Sequence, residues 1–479
     1  MGIKSNIIYN SVLTLSQYVI GLITFPYVSR VLGVSNIGVV SFVDNTINYF
    51  VLFSTLGISI IGTREIAKYR NNAEKLNSVF SSLVALFMTY TSIVLLAYII
   101  AVTYITKLSI HKELFYIGTA KLIFSVFLIE WFYRGIENFK YITLRNIALK
   151  LIYVCSLFIF VKTKDDYVVY FVLTTGVVVI NAVINILYAQ NFVKFSFKII
   201  TLLPYFKQSL FLGSYFVLTS MYSTFNVMYL GLVSDTKQVG LYWTALTLYS
   251  IILGFFSAFT GVMLPSMSSL LAQGNDTKFK QMIDKSFNII STICFPLIFV
   301  SIMLAPQIIN ILSGPEYSGA VIPMQIIMLL ILVVGVAQIL AAQVLMPLRK
   351  DKLILTASII GASVGILLNL ILVRTFGSTG TAIVLLISET SVTSYYIYVV
   401  SKNKIFNFPW RIFAHNLLYS IPYVFVCYSS AQLFDRPIFI LMVAGFVSLA
   451  YFVLINIYIL KNAELLGILH SIRNTNTIS

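Results

Sequence analysis

Charged residues are scarce in this sequence. Only 10% of its 479 residues are Asp, Glu, Lys or Arg, whereas an ordinary soluble domain carries about 25%. The apolar share is 59% and the mean hydropathy is +0.93. A soluble fold cannot bury that much apolar surface, so the composition excludes a soluble globular protein and predicts a membrane protein.

Cysteine and histidine are also scarce, with three of each. Cys155, Cys294 and Cys427 lie in separate apolar segments and lack the C-x-x-C spacing of metal and redox sites. The histidines are equally scattered, and the sequence contains no glycine-rich phosphate loop of the ATPase type. We therefore expect no disulfide, no metal, no cofactor and no direct use of ATP.

What is present is a series of long apolar runs. A helix needs about 20 apolar residues to cross a bilayer. The first run is too long for the apolar core of a signal peptide and lacks a cleavage site. The prediction is an all-α integral membrane protein of about 14 transmembrane helices. These are 7–31, 36–62, 78–106, 114–135, 142–161, 167–189, 208–233, 239–264, 286–312, 320–347, 353–374, 378–400, 412–434 and 437–460.

The distribution of basic residues supports this map. With both termini in the cytoplasm, 22 of the 32 Lys and Arg residues are cytoplasmic and eight are external, while Lys121 and Lys150 lie within helices. Membrane proteins carry such an excess of Lys and Arg in their cytoplasmic loops. The distribution favours an even helix count, and it accounts for the net charge of +16 without a nucleic-acid partner.

A faint internal repeat divides the chain. The segment 34–41 after the first helix resembles 237–244 after the seventh, about 200 residues later. Transporters are commonly built from repeated halves with the substrate site between them. The predicted units are an N-terminal lobe in 1–190, a cytoplasmic linker in 191–207, a C-terminal lobe in 208–400, and a helical hairpin with a tail in 401–479. No loop is long enough to hold a catalytic domain.

Several short patterns combine glycine, aromatic and charged residues. They are PYVSRVLG at 26–33 with Ile37-Gly38 and Asn48-Tyr49-Phe50 behind it, Leu56-Gly57 leading to GTREIA at 62–67, EWFYRGIE at 130–137 with YITLRN at 141–146, VGLY at 239–242, and GPEY at 314–317. Over about two thirds of the chain, these patterns resemble the Wzx-type oligosaccharide flippases of the polysaccharide transporter family. Multidrug and toxin extrusion proteins and the peptidoglycan lipid flippase belong to the same superfamily. Arg134 departs from the pattern, since many relatives have an amide there.

The resemblance implies a two-lobed bundle around a central cavity that opens alternately to either side. The substrate it implies is an oligosaccharide repeat unit on undecaprenyl pyrophosphate, flipped across the bacterial cytoplasmic (inner) membrane for O-antigen or capsule assembly. Membrane lipids and a polysaccharide polymerase are the other partners we expect. We expect a transporter without enzymatic activity.

Four ionisable residues lie deep within predicted helices: Asp44, Lys121, Glu130 and Glu389. A charge at the centre of a bilayer costs at least about 2.5–3.5 kcal/mol, so it normally faces a cavity or a partner. Asp44 shares a helical face with Asn48, four residues on. We predict a cationic path for the anionic headgroup, and ion coupling to protons or sodium through intramembrane carboxylates. The substrate-binding candidates are Lys121, Lys150, Arg134, Arg30 and Asn48, and the ion-coupling candidates are Asp44, Glu389 and Glu130.

Structural roles remain open for some of these residues. Glu130 and Arg134 are four residues apart and can form a local ion pair. Lys121 and Lys150 have side chains long enough to snorkel to the membrane surface. Arg30 can stabilise the turn between the first two helices.

Two other functions compete with the flippase. A multidrug exporter of the same superfamily would favour an acidic cavity for cations, whereas the intramembrane charges here are mixed. A membrane polysaccharide polymerase or glycosyltransferase would need a sizeable extramembrane loop, and the longest gap between helices is 190–207.

Overall fold

The computed structural model describes residues 3–196 and 200–459, which form helices and connecting turns without any strand. The N-terminal half contains α1 (Ile3–Thr55), α2 (Ile58–Tyr69), α3 (Ala73–Tyr104), α4 (Thr106–Ser109), α5 (Lys112–Phe124), α6 (Glu130–Gly135), α7 (Phe139–Phe160) and α8 (Tyr167–Ala189). The C-terminal half contains α9 (Leu203–Ser220), α10 (Thr224–Val233), α11 (Thr236–Ala272), α12 (Asp276–Met303), α13 (Ala305–Leu312), α14 (Val321–Met328), α15 (Leu330–Gln338), α16 (Asp351–Leu368), α17 (Arg374–Lys402), α18 (Trp410–Ser420), α19 (Pro422–Leu433) and α20 (Pro437–Leu454). The last residue of the predicted fourteenth helix, the C-terminal tail and residues 197–199 of the predicted linker lie outside the described residues.

Within the described ranges, ten helical segments are long and apolar enough to cross a membrane, and the bent pair α9–α10 adds an eleventh. Two of the ten, Val19–Thr55 and Asp351–Lys402, contain a glycine with non-helical backbone, Gly33 (φ 76°) and Gly377 (φ 52°). Glycine adopts positive φ at little cost, so it allows a sharp break there. The all-α membrane fold is confirmed, while the number fourteen stays a prediction.

Several predicted helices are interrupted. The chain breaks between α1 and α2 at Leu56 and Gly57, and before α6 at Ile129, all with positive φ. The predicted helix 208–233 is bent by 54° between α9 and α10. Apolar periodicity did not reveal these breaks, because each interruption is only one to three residues long.

The loops that the predicted topology places outside the cell gather at one end of the bundle, which we call the outer end. There the Asn36 Nδ2 donates to the Lys164 carbonyl at 2.7 Å, and the Lys164 Nζ lies 2.7 Å from Glu316 Oε1. The Lys107 Nζ also donates to the Ser234 carbonyl at 3.2 Å. The opposite end is called the inner end. The contacts of Lys164 with Glu316 and of Lys107 with Ser234 connect the N-terminal and C-terminal halves, so the outer end is closed.

The two repeat segments meet at this closure. Gly38 in α1 packs directly on α11, where an added Cβ would lie 1.7 Å from the Thr236 carbonyl oxygen. Gly240 in α11 packs reciprocally on α1, where an added Cβ would lie 2.0 Å from the Val34 carbonyl oxygen. The absence of side chains at both positions therefore allows the two backbones to touch.

At the inner end, α9 packs against the N-terminal half. The Tyr90 hydroxyl in α3 is 2.6 Å from Ser209 Oγ, and the Arg64 Nη2 in α2 donates to Gln208 Oε1 at 2.9 Å. The bend after α9 redirects the chain, so that α10 packs against α1 and α17. The predicted boundaries of the lobes at 190 and 208 stay a prediction.

Candidate functional site

An ion pair in the membrane-spanning region connects α1 and α5. The Lys121 Nζ donates to Asp44 Oδ1 at 2.6 Å, and the Asn48 Nδ2 donates to Asp44 Oδ2 at 3.0 Å. Only 16% of the Lys121 side chain and 29% of the Asp44 side chain are exposed. A charge in these surroundings needs a partner of opposite sign, and Lys121 and Asp44 are partners for each other. The structure thus brings three sequence-predicted residues together in one group, the α1–α5 charge cluster.

Close contact between the two helices sets the geometry of this cluster. An added Cβ on Gly118 in α5 would lie 2.1 Å from Ile47 Cδ1 in α1. Ile47 is fully buried, so apolar contacts fix the register at this point. Gly118 and Lys121 are three residues apart and share a face of α5, as Ile47 and Asp44 share a face of α1. The contact between Gly118 and Ile47 therefore places Lys121 beside Asp44.

The α1–α5 charge cluster has capacity to bind an anion. An ammonium group has three N–H donors, and Lys121 makes one hydrogen bond among the described residues. An anionic ligand that approached Lys121 would compete with Asp44 for the ammonium.

Glu130 lies in a second network of charged and amide side chains. Its Oε1 accepts from the Arg145 Nη2 at 2.8 Å and from the Asn146 Nδ2 at 3.3 Å, while its Oε2 lies 3.7 Å from the Arg134 Nη2. The local pair between Glu130 and Arg134 therefore exists, but Arg145 is the closer partner. Arg134 is half-exposed, with 46% of its side chain accessible.

Arg145 is the residue that sequence reasoning missed. It lies near the start of the predicted helix 142–161 but was not among the candidate residues, and in α7 it is only 6% exposed. The helix begins at Phe139 rather than 142, which places Arg145 in its second turn. Its guanidinium also donates to Asn185 Oδ1 and lies 5.1 Å from the centre of the Tyr141 ring. The pattern YITLRN was the available signal, since it contains both Tyr141 and Arg145.

Lys150 and Arg30 lie apart from the α1–α5 charge cluster. The Lys150 Nζ is buried and has no hydrogen-bond partner among the described residues, so it does not snorkel to the membrane surface. The Arg30 Nη2 donates to the carbonyls of Asn310 (3.3 Å) and Ile311 at the C-terminal end of α13. Arg30 therefore connects the two halves at the outer end, where it interacts with helix carbonyls rather than with the break at Gly33 between the first two predicted helices.

Glu389 in α17 lines a cavity of about 330 Å³ between the two halves, the central cavity. Asn45 of α1, Thr224 of α10, and Trp243 and Tyr249 of α11 also line it. Among the described residues, the Glu389 carboxylate has no ion pair or hydrogen bond. Asn45 follows Asp44 in the chain but faces the central cavity, whereas Asp44 faces α5. The structure therefore keeps Asp44 and Glu389 in separate environments.

The sequence matches a family model described as "Polysaccharide biosynthesis protein" over residues 3–271, more than half of the chain. The chain belongs to this family. A relative in Escherichia coli (strain K12), named "Putative O-antigen transporter", is 28% identical over 422 residues, which cover 85% of this chain and 98% of that protein. The family resemblance expected from the sequence is confirmed.

Solved structures of other transporters share the fold of this polysaccharide biosynthesis protein. "Lipid II flippase MurJ, inward closed conformation" superposes with a TM-score of 0.76 at 15% identity, covering 94% of this chain and 98% of that one. An inward-facing multidrug resistance MATE family transporter gives a TM-score of 0.60 at 14% identity, covering 82% of this chain and 95% of that one. The protein is a multi-pass membrane transporter and not an enzyme.

Proposed function

We propose that this protein flips undecaprenyl pyrophosphate-linked oligosaccharide repeat units across the bacterial cytoplasmic (inner) membrane by alternating access, for the assembly of O-antigen, capsule or a similar polysaccharide. The observation that carries the proposal is Lys121, which Asp44 holds in the membrane-spanning region and which has N–H donors without a partner among the described residues. A diphosphate bears the negative charge that such a lysine binds. The names of the relatives point to the same class of cargo.

The carrier lipid and the headgroup need different surroundings. A polyprenyl chain is stable in the bilayer, whereas a diphosphate with several sugars must be kept hydrated or paired with polar groups. The α1–α5 charge cluster supplies Lys121 and Asn48 for these groups. Among the other candidates, Lys150 supplies a buried ammonium without a hydrogen-bond partner in the described part of the chain, and Arg134 supplies a half-exposed guanidinium.

Transport is coupled to protons or sodium through membrane carboxylates in this proposal. Glu389 is the strongest candidate, because its carboxylate has no ion pair among the described residues and lines a cavity shared by both halves. Asp44 can contribute if the arriving anion displaces it from Lys121. Glu130 is less suited because Arg145 and Asn146 already bind it.

The proposed transport cycle uses the predicted lobes, 1–190 and 208–400, with the hairpin in 401–479 beside them and both termini in the cytoplasm. The closed outer end corresponds to a state that accepts substrate from the cytoplasmic leaflet. A polysaccharide polymerase on the outside would consume the flipped units and so draw transport outward.

A multidrug exporter is the second candidate, favoured by one observation, the unpaired Glu389 in the central cavity, which suits a cationic drug. The deciding experiment uses vesicles containing the purified full-length chain. A fluorescent undecaprenyl pyrophosphate-linked oligosaccharide should become accessible to an added glycosidase faster than in protein-free vesicles, while ethidium should not be transported. Transport of ethidium without lipid flipping would replace the flippase with the exporter.

A further inference from the structure

A second and larger cavity lies at the inner end, and none of the candidate site residues lines it. This inner vestibule has a volume of about 1200 Å³ and lies between α2, α9, the turn before α16 and the end of α17. Ile60 of α2 lines it from the N-terminal half, while Arg349 and Asn403 line it from the C-terminal half. The vestibule therefore lies between the two halves, at the end opposite the closure.

The polar wall of the inner vestibule is strongly basic. Arg349, Lys350 and Lys352 line it with a single carboxylate, Asp351. None of the four forms an ion pair among the described residues. The wall therefore carries a net charge of +2 with free donors, which favours a ligand with more than one negative charge.

The opposite wall is apolar and unusually exposed. Phe211 of α9 is 68% exposed, Ile60 is 43% exposed and Met346 is 41% exposed. A soluble anion such as inorganic diphosphate would gain nothing from these side chains. A ligand with both an anionic group and a hydrocarbon chain would contact both walls.

Arg349 occupies a position where glycine would be the less strained residue. Its φ is 54°, and the Lys350 N–H donates to the Leu345 carbonyl at 2.9 Å, which is the hydrogen bond of a Schellman-type helix end. Glycine is usual at this position because it has no Cβ to clash in the left-handed conformation. An arginine at this strained position is consistent with a role for its side chain in the vestibule.

The inner vestibule and the central cavity border the same helix. Glu389 of α17 lines the central cavity, and Asn403, the residue that follows this helix, lines the vestibule.

We propose that the inner vestibule is the docking site where the diphosphate of a polyprenyl diphosphate-linked substrate first binds, with the start of its hydrocarbon chain against Phe211. This inference rests on the proposed function and adds a site that precedes the α1–α5 charge cluster. Arg349, Lys350 and Lys352 bind the phosphates, and the apolar wall selects a lipid diphosphate over a free one.

The test measures binding by the full-length chain in uncharged detergent, with farnesyl diphosphate as the probe. The vestibule variant is Arg349→Gly/Lys350→Gln/Lys352→Gln. Its control is Lys404→Gly/Lys278→Gln/Lys280→Gln, which removes the same charge from the inner end outside the vestibule. Lys404 is a close match for Arg349, since it has φ 51° and the Ile405 N–H donates to the Val400 carbonyl.

We expect the vestibule variant to lose about tenfold or more in affinity for farnesyl diphosphate, and the control to stay within about twofold of the unmodified protein. Inorganic diphosphate should bind more weakly than farnesyl diphosphate. Arg349→Gly alone should not lower the melting temperature, so lost binding cannot be attributed to unfolding.

Equal affinities of the vestibule variant and its control would overturn the docking site. Equally tight binding of dilauroyl phosphatidylglycerol would also overturn it, because the site would then accept any anionic lipid. These binding results are separate from the proposed function. If unmodified protein flips no lipid-linked oligosaccharide in vesicles, the function fails; if it flips but the vestibule variant binds farnesyl diphosphate normally, only the docking site fails.

Discussion

Gly38 and Gly240 face each other where α1 crosses α11, and each contacts the partner helix through its backbone. Each is the single glycine of its repeat segment, 34–41 or 237–244. The repeat was a weak signal in the sequence, but in the structure it marks the interface that closes the outer end. Opening that end requires this contact to separate.

Adding a methyl group at this crossing should prevent closure. Gly38→Ala and Gly240→Ala should each shift the protein toward an outward-open state, because backbone atoms cannot move aside as a flexible side chain can. The measurement is the labelling rate of a cysteine placed at Asn36 at the outer end, which should rise several-fold. Gly261→Ala in the same helix α11 is the control, since no atom lies within 4 Å of its added Cβ. Unchanged labelling in all three variants would show that the crossing does not close the transporter.

The ion pair between Lys164 and Glu316 should also shift the equilibrium between the closed and open states of the outer end. Both side chains are more than half exposed, so the pair should stabilise closure only slightly, by about 0–1 kcal/mol. Lys164→Glu should raise outer-end labelling, and the exchanged pair Lys164→Glu/Glu316→Lys should restore it. The difference should shrink in high salt. An exchanged pair that labels as fast as Lys164→Glu would rule out this ion pair as a closing contact.

The contact between Gly118 and Ile47 should control the α1–α5 charge cluster. Gly118→Ala should destabilise the protein by about 1–3 kcal/mol through overpacking. Ile47→Val removes the Cδ1 atom that the new methyl group would meet, so Gly118→Ala/Ile47→Val should be more stable than Gly118→Ala alone. Thermal unfolding of the purified protein measures both effects. A double variant less stable than Gly118→Ala would contradict the register described here.

Arg145 should matter for folding more than for transport. Arg145→Met leaves Glu130 without its closest partner, and breaking a buried pair in this way costs about 3–5 kcal/mol. We expect low abundance and a lower melting temperature. Arg145→Met/Glu130→Gln should recover much of the loss, because no buried charge is left unpaired and Arg134, which also loses Glu130, is half-exposed. An Arg145→Met protein with normal stability and no transport would instead make Arg145 a substrate-binding residue.

Whether a feature of the fold or of the site could be predicted from the sequence depends on how far apart in the chain the interacting residues lie. The intramembrane charges Asp44 and Lys121 could be identified because charge is costly in a bilayer, wherever the partner lies. Their pairing could not be predicted, since it depends on a register set by Gly118 between residues that are 77 positions apart in the chain. The break at Gly33 was placed by the gap between two apolar runs. The bend after α9 was not, because it depends on Tyr222 packing against Gly361 and Gly365 of another helix.

The central claim is that Lys121 binds the anionic headgroup of a lipid-linked oligosaccharide during flipping. The most direct test measures flipping of undecaprenyl pyrophosphate-linked oligosaccharide in vesicles by Lys121→Ala, Lys121→Arg and Lys112→Ala, the last being an exposed lysine of the same helix. Lys121→Ala should be about 10–100-fold slower at near-normal abundance, since a hydrogen bond to a charged group is worth about 1.5–3 kcal/mol. Lys121→Ala/Asp44→Asn should remain slow although no charge is left unpaired, whereas Lys121→Arg and Lys112→Ala should remain active. Flipping by Lys121→Ala at the unmodified rate would contradict the account.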